Sequence, residues 1–139
     1  VEILFANLAQ QLNGGKPYLY IFDNTGGALT YIARAWNTAL TVGRWYHLVF
    51  TYSGGTTDAA CKIYVNGAQV DDANGGSGVF VTMRNTATVV TIGVDGTLAA
   101  SYAAGSTLGG PFCPFGVQAE LTVAQVLNIY NGLRLGLGV

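Results

Sequence analysis

Apolar residues along this chain recur mostly with a period of two, in short runs separated by Gly, Asn, Asp and Ser. That spacing sends alternate side chains to opposite faces of an extended backbone and predicts half-buried β-strands. The run YLYIF (18–22), the segment Asp-Asn-Thr-Gly-Gly and the run ALTYIARAW (28–36) read as a hairpin whose turn holds residues that accept a positive φ. In the second run Leu29, Tyr31, Ala33 and Ala35 share one face, with Thr30, Ile32, Arg34 and Trp36 on the other. The charge of Arg34 makes the first set the expected core face. RWYHLVFTY (44–52) is apolar on both faces and is expected to be covered on two sides. Ser53–Asp58 reads as a loop, CKIYV (61–65) as the returning strand, and Asn66-Gly67 as its turn. Two further strands are expected over GVFVTM (78–83) and ATVVTIGV (87–94).

The period changes once, near the C-terminus. Thr122 is placed to cap a helix, Gln125 to return the bond three residues later, and Leu121 to staple onto Val126. The run VAQVLNIYN then meets Gly132, the expected stop. No internal repeat or linker interrupts the pattern. Residues 1–139 are therefore expected to form a single all-β domain with one short C-terminal helix.

Composition narrows the class. A chain of 139 residues buries roughly two-thirds of the surface its unfolded form exposes, so one core can carry it without a metal or disulfide. Half the residues are hydrophobic and 9% are charged, against the quarter or so that is usual. Net charge is −1, and Lys16, Arg34, Arg44, Lys62, Arg84 and Arg134 are scattered, which argues against a nucleic-acid footprint or a polybasic membrane patch. Between Arg84 and Glu120 the sole charge is Asp95, but glycines and prolines break the stretch, so no membrane insertion is expected. So little charge fits a secreted, particle-bound or multi-subunit protein whose surface is neutral-polar or covered by a partner. The chain opens on Val1 rather than Met, as a processed end or a fragment does. Cys61 and Cys113 match no metal spacing; buried thiols are the first expectation, and a single bridge in an oxidising compartment the alternative.

The stretch GRWYHLVFTYSG…CKIYVNG carries a resemblance. Gly43, Trp45, His47, Thr51-Tyr52 and Tyr64-Val65-Asn66-Gly67 stand in the order found in laminin-G-like, concanavalin-A-like domains. ILFANL…YLYIFDNTGGALTYI resembles the strands that precede this block, VVTIGVDG a later strand, and LTVAQVLNIYNG the family's closing segment. The resemblance implies an antiparallel jelly-roll β-sandwich. Two departures stand out: the first strand before ILFANL is short or missing, and CPFGVQAE replaces the usual strand before the closing helix. A shortened sandwich has an incomplete sheet edge that a partner chain could cover. The Gly-Pro-rich stretches and the ending LRLGLGV also resemble structural proteins of tailed bacteriophages.

Because the concanavalin-like fold also hosts glycosidases, a pair of acids about 5–10 Å apart must be sought. Glu2 and Glu120 lie near opposite ends, and the adjacent Asp71 and Asp72 would face opposite ways on a strand. His47 alternates with Trp45 and Val49 on an apolar strand and is expected to be a packed, hydrogen-bonded histidine rather than a general base. Gly75-Gly76-Ser77-Gly78 lacks the fifth position of a nucleophile elbow, and phosphate-binding fingerprints are absent. The chain is expected to be non-enzymatic. Calcium, which relatives of this type often hold in rim loops, would fall to Asp71, Asp72, Asn74 and Asp95; plain turn chemistry is the competing reading. For a glycan, the ring to stack on a sugar is Trp36 with Asn37 beside it, followed by Tyr102 and then Tyr18; partial core packing competes for each. The loop from Leu98 to Phe115 is unusually long for a compact domain, a mark of function.

Two functions follow. The first is a non-catalytic structural module on an assembly such as a virion, of capsid-decoration or fibre type, binding neighbouring protein subunits as an oligomer. The second is a carbohydrate-binding, lectin-like module. Either places the protein on a virion surface or outside the cell.

Overall fold

The computed structural model describes residues 15–23, 30–41, 44–83 and 119–137. Among these, strands β1 (Tyr18–Asp23), β2 (Thr30–Ala35) and β6 (Ala73–Asn74) form one sheet in the order β1-β2-β6. Strands β3 (Leu48–Tyr52), β4 (Cys61–Val65) and β5 (Ala68–Gln69) form a second, in chain order. All pairings are antiparallel. Helix α1 (Val123–Leu137) follows.

The two sheets close on one core. Leu19, Ile21 and Ile32 of the first meet Phe50, Tyr52, Cys61 and Ile63 of the second, with Ala60 and Phe80 filling between them. Each such buried side chain stabilises the fold by about 1.5–3 kcal/mol relative to exposure. The opposite face of the second sheet is covered too: Val49 and Tyr64 pack with Val126 of α1 and with Leu121. The layers are therefore sheet, sheet, helix. The expectation that β3 is covered on both sides holds, although the strand itself begins at Leu48.

The core face of β2 is the reverse of that expected. Ile32 points into the core, and Arg34 shares its side, while Ala33 and Ala35 sit opposite Tyr20 and Tyr18 on the outer face. Arg34 tolerates the inner position because its Nε donates to Asp71 Oδ2 at 3.0 Å, its Nη2 donates to the Asp71 carbonyl at 3.2 Å, and its Nη1 donates to Asn74 Oδ1. The Asp71 side chain is 2% exposed. A guanidinium so satisfied needs little water.

Residues 68–74 cross from the second sheet to the first, pairing β5 with β4 and then β6 with β2. At the crossing, Asp71 Oδ1 accepts the Ile63 N–H at 3.0 Å while Oδ2 holds Arg34. One carboxylate thus joins the two sheets. The turn before it is Asn66 (φ 51°) and Gly67 (φ 80°), the left-handed pair that suits a two-residue hairpin. A side chain at Gly67 would also press on Leu127 and Tyr130 of α1 at 3.0 Å.

Gly78–Met83 does not form the expected strand. Ser77 makes a single bridge to Tyr31, Phe80 turns into the core, and the Val81 and Thr82 N–H groups donate to Asp23 Oδ2 at 2.9 and 3.2 Å. Beside β2 the sheet position belongs to β6, so these amides are satisfied by a carboxylate instead of a ladder. The strand expected at 87–94 lies outside the described residues.

The start of α1 matches expectation. Gln125 N–H donates to Thr122 Oγ1 at 3.3 Å, the Thr122 N–H donates to Gln125 Oε1 at 2.8 Å, and Leu121 packs against the Val126 cluster. The end does not. The helix runs through Gly132 to Leu137, because Gly132 keeps a right-handed backbone and the residues beyond it, Leu-Arg-Leu, are good helix formers. Among the described residues no helix is long and apolar enough to cross a membrane.

Candidate functional site: the aromatic outer face of the first sheet

β1 alternates aromatic and aliphatic residues, so with Leu19 and Ile21 in the core its rings must point outward. Tyr18, Tyr20 and Phe22 stand in a row, with centroids 5.7 and 5.9 Å apart and planes within 10° of parallel. Tyr31 of β2 closes the row from the side, edge-on to Tyr20 at 5.6 Å and tilted against Phe22 at 5.5 Å. Ala33 and Ala35, the cross-strand neighbours of Tyr20 and Tyr18, are buried. The three tyrosines are half-buried, and Phe22 is 39% exposed. Among the described residues of β1 and β2, no side chain on this face carries a charge.

Geometry decides what such a row can hold. The faces of successive rings are turned toward one another along the strand, so what the row turns outward is ring edges. A sugar packs on an open ring face. A protein surface, with aliphatic groups and backbone acceptors, suits ring edges. The sequence reading reached only Tyr18 of this set, third among its rings. The alternating aromatics of YLYIF were the signal for the rest.

The other candidate residues lie elsewhere. Trp36 is half-buried, with its backbone N–H donating to the Pro17 carbonyl at 3.1 Å, and Asn37 is exposed, its backbone N–H donating to Asp72 Oδ1 at 2.9 Å. Both follow β2 at the end of the sandwich where β3 begins. Trp45, just before β3 and 54% exposed, was read only as part of the scaffold. Tyr102 and Asp95 lie outside the described residues.

Asp71, Asp72 and Asn74 do not converge. Asp71 serves Arg34 and the Ile63 N–H, Asp72 serves the Asn37 N–H, and Asn74 serves Arg34. A guanidinium bound to two of the three is a poor neighbour for a dication, so these residues do not fit calcium as arranged. Among the described residues no group of three or more His, Cys, Asp or Glu side chains is placed to hold a metal.

The remaining reactive groups are also engaged or inert. Asp58 Oδ1 accepts the Ala33 N–H at 2.9 Å and lies against Gly76. Glu120 Oε1 is 2.6 Å from Lys62 Nζ. A cleft of about 380 Å³ passes Glu120, Tyr52, Ser53 and Met83, and Glu120 supplies its single carboxylate. Cys61 is a buried free thiol whose pKa is pushed up to about 12, first by burial and then by Asp58, so it is uncharged at neutral pH. Cys113 lies outside the described residues. His47 is packed as expected but not hydrogen-bonded: neither ring nitrogen has a partner.

Comparison with known families agrees with this architecture. A laminin-G family model of the concanavalin A-like lectin/glucanases superfamily matches residues 6–108. The chain belongs to that superfamily, and its two sheets with one closing helix are a jelly-roll β-sandwich of this class. At this level it is a lectin-like or interaction module, of a class whose members bind proteins or glycans. No curated protein and no solved structure matches it.

Proposed function

We propose that the chain is a non-catalytic interaction module displayed on an assembly, a virion surface in the first instance, where it binds neighbouring protein subunits through the outer face of its first sheet. The observation that carries this reading is the uncharged row of Tyr18, Tyr20, Phe22 and Tyr31, which turns ring edges outward. A non-catalytic role is supported by the acids among the described residues: Asp23, Asp58, Asp71, Asp72 and Glu120 each hold a backbone N–H or a cation. A hydrolytic pair would need two carboxylates facing one substrate bond.

Native mass spectrometry of the isolated chain tests this directly. The wild type forms a defined multimer, and Phe22→Asp together with Tyr31→Asp returns it to monomer while circular dichroism shows the fold kept. Antibody labelling of intact particles then tests display on the virion surface. A glycan reading is favoured separately by Trp36, Asn37 and the exposed Trp45, which the topology gathers at one end of the sandwich. A wild-type monomer that binds a simple glycan saturably, and loses it in Trp36→Ala but not in the Phe22/Tyr31 variant, replaces the first reading with the second.

A further inference from the structure

Helix α1 is seated over a polar side chain that it leaves unsatisfied. His47, immediately before β3, is 9% exposed, and both of its ring nitrogens lack a hydrogen-bond partner. Its ring lies against that of Tyr130 on α1, with centroids 5.8 Å apart and planes inclined by 36°. The Arg134 guanidinium lies 6.0 Å from the centre of the same Tyr130 ring. On the β4–β5 turn, Asn66 Oδ1 accepts the backbone N–H of His47 at 3.0 Å and not a ring N–H. The second sheet adds Lys62 and the phenol of Tyr64. Arg44 stands three residues upstream, and Glu120, the acid before the helix, is held by Lys62. No carboxylate among the described residues is paired with the imidazole. Burial lowers its proton affinity.

We propose that α1 is an acid-released latch: protonation of His47 lifts the helix from the second sheet, uncovering Val49 and Tyr64, while the core between the two sheets stays folded.

The asymmetry of the contacts sets this outcome. An imidazolium beneath α1 would hold two N–H donors with nothing to receive them, a costly state in a largely apolar layer. Water can reach it if the helix leaves. The loss is small, because Val126 is the helix residue fully buried there and residues 131–135 are already exposed. The inter-sheet core buries many more apolar side chains and contains no histidine. Local opening is the cheaper relief.

Hydrogen exchange read by mass spectrometry on the full chain, corrected for the intrinsic effect of pH on exchange, tests the latch. Between about pH 7.5 and about pH 5, the range in which histidine titrates, protection of the 123–131 amides falls by at least about tenfold while β1 to β4 keep theirs. In His47→Gln the helix keeps its protection at acid pH. Unchanged helix protection in the wild type, an equal loss in His47→Gln, or simultaneous opening of the sheets overturns the proposal. Should His47→Gln not fold, the wild-type His47 ring protons followed by NMR keep it open to refutation. Their titration midpoint must coincide with the loss of helix protection, and a mismatch overturns it.

Discussion

The two outer faces of this sandwich solve one problem in two ways. On the second sheet, Val49 and Tyr64 are covered by a separate element, α1, brought back by the chain from far along the sequence. On the first sheet, rings on adjacent strands cover one another and the alanines between them. Cover by a helix requires several remote features to agree: the Thr122–Gln125 capping box, the Lys62–Glu120 pair and the bare backbone of Gly67 under Leu127 and Tyr130. Cover by neighbouring rings requires only the alternation in β1 and one tyrosine on β2. The first kind dries a face completely at Val126; the second leaves ring edges at the surface.

This contrast can be broken or sharpened by measurement. The largest effect is expected where neither face is touched. Asp71→Ala strands the Arg34 guanidinium between the sheets and should lower unfolding free energy by about 3 kcal/mol, seen as a shift in the urea midpoint. Next comes the paired test of the two faces. Val126→Ala should cost about 2 kcal/mol, as a buried cavity does, whereas Phe22→Ala on the ring row should cost about 1 kcal/mol or less. Equal losses would mean that the rings are as structural as the helix contact. A smaller change of opposite sign is expected from Gly132→Ala. This position sits in open space on a right-handed helix, so stability should rise by up to about 1 kcal/mol, with the thermal midpoint as readout.

Acidity separates the faces as well. Burial depresses the folded-state pKa of His47 below its ordinary 6.5, so the unfolded chain takes up the proton first as pH falls. The stabilisation is complete above about pH 6.5 and is lost on acidification toward the lower folded value. A pH series of thermal midpoints should show this loss in the wild type and not in His47→Gln. Phe22 itself carries no ionisable group, so the Phe22→Ala increment should stay constant with pH.

Much of the scaffold was legible in the sequence because its signals are local. The hairpin of β1 and β2, the Asn66-Gly67 turn and the capping box of α1 each rest on residues within a few positions of one another. The errors arose where a distant partner decides. Arg34 reads as a solvent residue until Asp71, thirty-seven positions later, is placed against it, and that pairing reversed the inferred core face. The strand expected at 78–83 was lost for the same reason, since Asp23 claims two of its amides across fifty-eight and fifty-nine positions. The candidate site was less legible. Trp36 drew attention as a large ring beside a polar residue. The proposed contact surface rests instead on the period-two aromatics of YLYIF, whose direction depends on knowing which side of β1 is the core.

Asp71 has a mechanical meaning as well. Its two carboxylate oxygens hold different sheets, one through the Ile63 amide and one through Arg34, at the point where the chain itself crosses between them. Apolar layers resist separation but slide past one another with little directional resistance. A carboxylate anchored on both sides opposes sliding. In a module tugged by its neighbours, load on β2 would pass toward β4 through this side chain, with Asp58 on the Ala33 amide as a second tie, and resistance to shear would reside in these carboxylates more than in the oily centre.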